Sequence, residues 1–190
     1  MTKTRMEAFS DGVLAIIITI MVLEVKVPHG DELADLRPLI PGFLSYALSF
    51  IYLGIYWNNH HHMLYVTHGV NGAILWANLH LLFWLSLVPF TTGWMGKNHF
   101  AKLPTAAYGV VLLCSAIAYT ILSIAIVRQQ GAYSKLAGAV GRDRKGKVSM
   151  ALYALAIPMA FVSEWVAYAI YISVAMIWLV PDRRIERVVR

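Results

Sequence analysis

The residues able to carry chemistry in this chain are few, and most stand at the ends of apolar runs. Arg5, Phe9, Ser10 and Asp11 head the first run, Thr19 lies within it, and Glu24 closes it. His60-His61-His62 ends the second run, and Thr91-Thr92-Gly93-Trp94-Met95-Gly96 ends the third. A carboxylate beside an apolar run is costly without a partner, so Asp11 calls for a hydrogen-bonding group nearby. A threonine hydroxyl offers oxygen lone pairs to a cation, and an unpaired acid raises the cation concentration near it. Three adjacent histidines point about 100° apart on a helix, so they cannot all face one metal ion. His80 is the only other histidine inside a run, since His29, His68 and His99 fall in loops or run ends. Cys114 is the single cysteine and sits in an apolar run, where it reads as a small buried hydrophobe. Metal-dependent or other enzyme chemistry is therefore not expected, and no cofactor is implied.

The elements that position these residues follow from composition. Of the 190 residues, 59% are apolar and 14% are charged, against about 25% charged in an ordinary soluble domain. Mean hydropathy is +0.62. A net charge of +6 would suggest nucleic acid for a soluble chain. Here the charges lie between apolar runs, so a lipid bilayer is the expected partner and nucleic acid is not. A spanning helix needs roughly 20 mostly apolar residues. Spans are predicted at about 8–27, 39–63, 71–95 and 104–127. The stretch 148–180 is broken by Ser163-Glu164-Trp165 and reads as two short helices, 148–163 and 165–181, with a tight turn at Glu164.

Loop charges choose six spans over five. With six, one side holds Lys3, Arg5, Arg128, Lys135, Arg142, Arg144, Lys145, Lys147, Arg183, Arg184, Arg187 and Arg190. The other holds Lys26, Arg37, Lys97 and Lys102. That asymmetry places both termini in the cytoplasm by the positive-inside rule. The expectation is an all-α integral membrane protein of the inner (plasma) membrane, one six-helix repeat and one domain over 1–190. The glycine-rich, basic 128–147 stretch reads as a cytoplasmic linker. Glu7, Asp11, Glu24 and Lys26 argue against a cleaved signal peptide over residues 1–27.

Helical geometry divides the first span. At 100° per residue, Ile16, Ile20 and Leu23 fall within about 60° of one another. Gly12 joins this aliphatic stripe and Thr19 borders it. Asp11 lies about 140° from Ile16 and faces away. Periodicity alone leaves the stripe open between plain packing and a functional surface.

Arg5-x-x-x-Phe9-Ser10-Asp11 at the head of a first span resembles the signature of the transmembrane protein 175 family of potassium channels. Trp57-x-x-His60, Asn78 and Pro89-Phe90 are similar to further family features. The layout and size match its prokaryotic branch. The resemblance implies a homotetramer whose first helices line the pore, with an aliphatic constriction in place of the usual carbonyl filter. It implies Ile16 as the first constricting residue, Thr19 as the one tied to potassium preference, and Ile20 and Leu23 as the next aliphatic turns. Many relatives have an apolar residue where this chain has Glu24, so Glu24 is an added candidate at the outer mouth.

A ring of isoleucines can block flow by excluding water. It offers no oxygen, so selectivity falls to Thr19. Arg5, Phe9, Ser10 and Asp11 read as a structural network, with Trp57, His60, Asn78 and Trp84 as partners. Potassium is the expected permeant ion. The alternatives are a secondary transporter or a proton-permeable channel of the inner membrane. The chain has no inverted repeat or pair of broken helices, no regularly spaced intramembrane arginines, and no Gly-x-x-x-Gly. Thr91 to Gly96 loosely resembles a Thr-Val-Gly-Tyr-Gly filter but lies at the end of a full-length span.

Overall fold

The computed structural model describes residues 2–28, 30–131 and 143–179, and these are almost all helical. The helices are α1 (Lys3–Leu23), α2 (Ile40–Tyr65), α3 (Gly72–Ser86), α4 (Val88–Lys97), α5 (Lys102–Gln130), α6 (Arg144–Val162) and α7 (Glu164–Leu179). A short 3₁₀ turn, Leu33–Leu39, leads into α2. Five stretches are long and apolar enough to cross a membrane: α1, the turn with α2, α3 with α4, α5, and α6. α7 is apolar but shorter, at 16 residues.

Local chemistry sets the boundaries, and several differ from those read off hydropathy. α1 begins at Lys3 rather than near residue 8, because Thr2 caps it by accepting from the Arg5 N–H at 3.4 Å. It stops at Leu23, and Val25 to Pro28 are not helical. α6 starts at Arg144 rather than 148, because the Asp143 carboxylate caps it through the Gly146 N–H at 2.8 Å. The break between α6 and α7 falls at Ser163, which is extended (φ −151°, ψ 113°), and Glu164 opens the new helix. The 71–95 run divides at Leu87 into α3 and α4. Pro89 causes this, since it lacks an N–H and its ring crowds the carbonyl four residues back. Of the 128–147 linker, 132–142 lies outside the described residues, as do the tail arginines.

Side-chain contacts order the ends. Lys3 Nζ donates to the Tyr65 carbonyl at 3.0 Å, Gln130 Nε2 to the Val66 carbonyl at 2.9 Å, and Lys145 Nζ to the Ile177 carbonyl at 3.4 Å. These contacts gather the start of α1, the α2–α3 connection, the end of α5, the start of α6 and the end of α7 at one face. Lys102 donates to the Phe161 carbonyl at 3.0 Å, and Lys97 pairs with Glu24, joining the opposite ends. The chain therefore crosses back and forth, with α3 and α4 acting together as one traverse.

A clasp of buried hydroxyls holds the interior. Ser49 Oγ lies 2.6 Å from Thr92 Oγ1 and 3.0 Å from the Tyr108 hydroxyl. Tyr52 donates to the Tyr171 carbonyl at 2.6 Å, and Tyr171 to the Thr105 carbonyl at 3.0 Å. Aromatic hydroxyls with large apolar bodies suit this interior, where each polar tip must find a partner. α2 and α4 approach closely, because a Cβ on Gly96 would lie 2.7 Å from the Gly42 Cα.

Candidate functional site

α1 has one packed face and one bare face. Met6, Ser10, Leu14, Ile17 and Met21 are buried, spaced three and four residues apart, and press against the rest of the chain. Opposite them, Ile16, Ile20 and Leu23 are 58%, 46% and 79% exposed. Thr19 and Gly12 are exposed with them. A Cβ on Gly12 would meet nothing within 4 Å. The Thr19 hydroxyl donates to the Ala15 and Ile16 carbonyls, both at 3.0 Å. Its proton is thus engaged along its own helix, and its oxygen lone pairs remain free to face a cation.

Bonds to α2 and α3 help hold α1 in this pose. Ser10 Oγ donates to the Met6 carbonyl at 2.8 Å and accepts from Asn78 Nδ2 at 2.9 Å. Asn78 Oδ1 lies 2.7 Å from His60 Nε2. The amide oxygen can only accept, so that imidazole nitrogen carries the proton. Ser10, His60 and Asn78 are all buried. On an adjacent side, Trp57 Nε1 donates to Asp11 Oδ1 at 3.0 Å. Asp11 itself is exposed on the side toward α2. The first-helix motif thus binds α1 to α2 through Asp11 and Trp57, and to α3 through Ser10 and Asn78.

Three residues expected in this network stand apart from it. Trp84 donates instead to His80 Nε2 at 2.9 Å, one turn along its own helix. Helical spacing explains this: residues four apart on α3 meet before Trp84 can reach α1. Arg5 is exposed, and its guanidinium has no hydrogen-bond or ionic partner among the described residues. Phe9 is 48% exposed. Both share the outward side of α1 with Ile16, because positions 5, 9 and 16 fall within about 40° on a helical wheel.

Glu24 stands at the end of α1 with a partner the sequence did not name. It turns about 100° from Leu23 and pairs with Lys97 of α4. Gly93 makes room, since a Cβ there would lie 2.8 Å from Glu24 Oε2. Its charge is matched by the Lys97 ammonium. Sequence reading missed Lys97, Gly93 and the Ser49–Thr92–Tyr108 clasp. The one available signal was the glycine at 93, four residues before a lysine at the end of an apolar run.

The Thr91–Gly96 segment is helical, so its carbonyls belong to helix bonding rather than to a filter. Thr91 and Thr92 hydroxyls donate back to carbonyls of the preceding turn at 2.7 to 3.2 Å. His61 stacks on Trp57, with ring centroids 6.3 Å apart. Among the described residues, no group of three or more His, Cys, Asp or Glu side chains is placed to hold a metal ion.

Known proteins resemble this chain in sequence and fold. A family model described as the endosomal/lysosomal potassium channel TMEM175 matches residues 5–89, which span α1 through the start of α4. A potassium channel of Chryseobacterium sp. (strain P1-3) is 58% identical over 187 residues, covering 98% of this chain and 97% of that protein. The chain belongs to the TMEM175 potassium channel family. A potassium channel of Streptomyces collinus is 31% identical over 84% of this chain and 82% of its own length. A crystal structure described as a lysosomal potassium-selective channel TMEM175 homologue from Chamaesiphon minutus superposes with a TM-score of 0.81 at 27% identity. That match covers 93% of this chain and 96% of the other. The protein is accordingly a multi-pass membrane channel of the TMEM175 type and not an enzyme.

Proposed function

We propose that this chain forms a potassium-preferring channel in which the bare face of α1 lines a central pore in a homotetramer. The observation that carries the reading is the exposed row Ile16, Thr19, Ile20 and Leu23, opposite a fully packed face of the same helix. Around a shared axis, Ile16 and Ile20 form apolar rings that hold back water, and a small dilation lets a hydrated ion through. Thr19 contributes the only side-chain oxygens of that row, one helical turn past Ile16. Hydroxyl rings coordinate cations weakly compared with carbonyl filters, so the preference for potassium is moderate. Leu23 is the outermost residue of the row, and Glu24 tethers the outer end of α1 to α4 through Lys97.

Arg5, at the start of the row, marks the cytoplasmic end. Both termini lie on that side of the inner membrane, a reading supported by the Lys3–Tyr65, Gln130–Val66 and Lys145–Ile177 contacts at one face and by its basic residues. The Ser10–Asn78–His60 and Asp11–Trp57 bonds anchor α1 to its own subunit, so pore width follows the packing of α2 and α3.

The test is flux from proteoliposomes loaded with potassium or sodium and carrying a pH-sensitive dye. Passive potassium flux that does not saturate, exceeds sodium flux and runs without proton movement is expected. Saturable uptake coupled to a second solute would replace the channel with a transporter. Proton flux without potassium flux would make it a proton pathway.

A further inference from the structure

α1 touches α2 and α3 on adjacent sides, through Asp11 and Ser10. α4 packs on α1 as well, and the outward faces of α2 and α3 form two flanks of the protomer. Each flank carries a polar group that the protomer leaves unanswered. On α2, the Asn58 side chain has no hydrogen-bond partner among the described residues, and Phe50 and His61 of the same face are exposed. On α3, His80 is exposed between Trp76 and Phe83. Trp84 Nε1 can only donate, so His80 Nε2 accepts from it, and the neutral ring carries its proton on Nδ1. That Nδ1–H has no acceptor among the described residues. Both groups lie within apolar helices, where an unanswered amide or imidazole N–H is costly.

The two groups also lie at the same depth. α2 and α3 run antiparallel, and the His60–Asn78 bond fixes their register. Two residues back along α2 from His60 is Asn58, and two residues on along α3 from Asn78 is His80. Each is turned about 160° from that interior bond, so they point outward on different flanks at one level. A donor on one flank matches an acceptor on the other in chemistry and in height.

We infer that the α2 flank of one copy of this chain packs on the α3 flank of the next, with His80 Nδ1–H donating to the Asn58 amide oxygen of the neighbouring copy. The inference rests on the tetrameric reading above and goes beyond it by naming the contacting faces and the bond. Repeated around the axis, the bond fixes the rotation of each subunit, and hence which residues of α1 face the pore. Trp84, by holding His80 Nε2, is a positioning residue for this contact.

The experiment uses full-length chain with Cys114→Ser, which leaves no native cysteine. An Asn58→Cys chain and a His80→Cys chain with different affinity tags are expressed together and oxidised in native membranes. A heterodimer band carrying both tags is expected, at least fivefold stronger than from Phe50→Cys with His80→Cys, which are offset by about 12 Å along α2. Native mass spectrometry of the same samples reports the assembly. Intact tetramers with no band above that control would overturn the inference and leave the pore reading standing. Absence of any oligomer would overturn both. As a second measurement, His80→Gln keeps an N–H donor and should retain the tetramer in mild detergent. His80→Phe should lose it several-fold faster, and equal lifetimes for the two variants would also overturn the inference.

Discussion

Asn78→Leu is the sharpest single test of how α1 is held. The substitution keeps the branched shape and removes two hydrogen bonds, one to His60 and one to Ser10. The two losses are not equal. Ser10 continues to donate to the Met6 carbonyl and loses only an incoming donor. The His60 Nε2–H, 2% exposed, is left facing a methyl group. Hydrogen bonds between membrane helices average about 0.6 kcal/mol by double-mutant cycles, which sets a floor of about 1.2 kcal/mol for two. An orphaned buried donor costs about 1–3 kcal/mol, and the expected loss is therefore about 2 kcal/mol. That corresponds to a roughly 30-fold shift in the unfolding equilibrium. The assay is reversible unfolding in mixed micelles followed by tryptophan fluorescence, with flux from proteoliposomes in parallel. Because replacing both partners with apolar groups removes the orphan, His60→Phe/Asn78→Leu should be more stable than Asn78→Leu alone. An unchanged midpoint for Asn78→Leu, or strictly additive effects in the double variant, would refute the claim that this bond anchors α1.

Further outcomes follow from the same geometry. Ile16→Asn should wet the constriction and raise ion leak well above the parent channel; flux equal to the parent at normal expression would remove Ile16 as the gate. Thr19→Val keeps the shape and deletes the oxygen, so the potassium-to-sodium flux ratio should fall toward unity, measured in matched gradients. Asp11→Ala should reduce the yield of assembled protein by size-exclusion chromatography, whereas Asp11→Asn, which still accepts from Trp57, should not; a well-assembled Asp11→Ala with altered ion preference would reverse this assignment. Gly96→Ala should destabilise by about 1–3 kcal/mol, because the new Cβ meets the Gly42 backbone at 2.7 Å; a thermal shift within error of the parent would show that α2 and α4 can separate freely.

How much was legible varied with the physics involved. The spacing of Ile16, Thr19, Ile20 and Leu23 follows from helix periodicity, a local property, so one face could be drawn before any contact was known. That Ser10, His60 and Asn78 need partners follows from the cost of polar groups among apolar ones. Which partners they take does not, because Trp84 had an equally plausible local neighbour in His80 and took it. The partner of Glu24 was hidden for a related reason: a charge at the end of an apolar run looks free until the helix bearing Lys97 is laid beside it. The division at Leu87 was foreshadowed by Pro89 but hidden in the unbroken hydropathy of 71–95.

The sequence by itself determined an all-helical membrane chain, the approximate placing of its apolar helices, and the division of α1 into two faces. All of these depend on composition, charge placement and the 100° step of a helix, which operate over a few residues. Only the tertiary structure decided that Asp11 meets Trp57, that Asn78 bridges Ser10 and His60, that Glu24 is answered by Lys97, and that Asn58 and His80 stand level on opposite flanks. Those pairings join residues many positions apart, and register between packed helices is set by the sum of all contacts rather than by any local pattern.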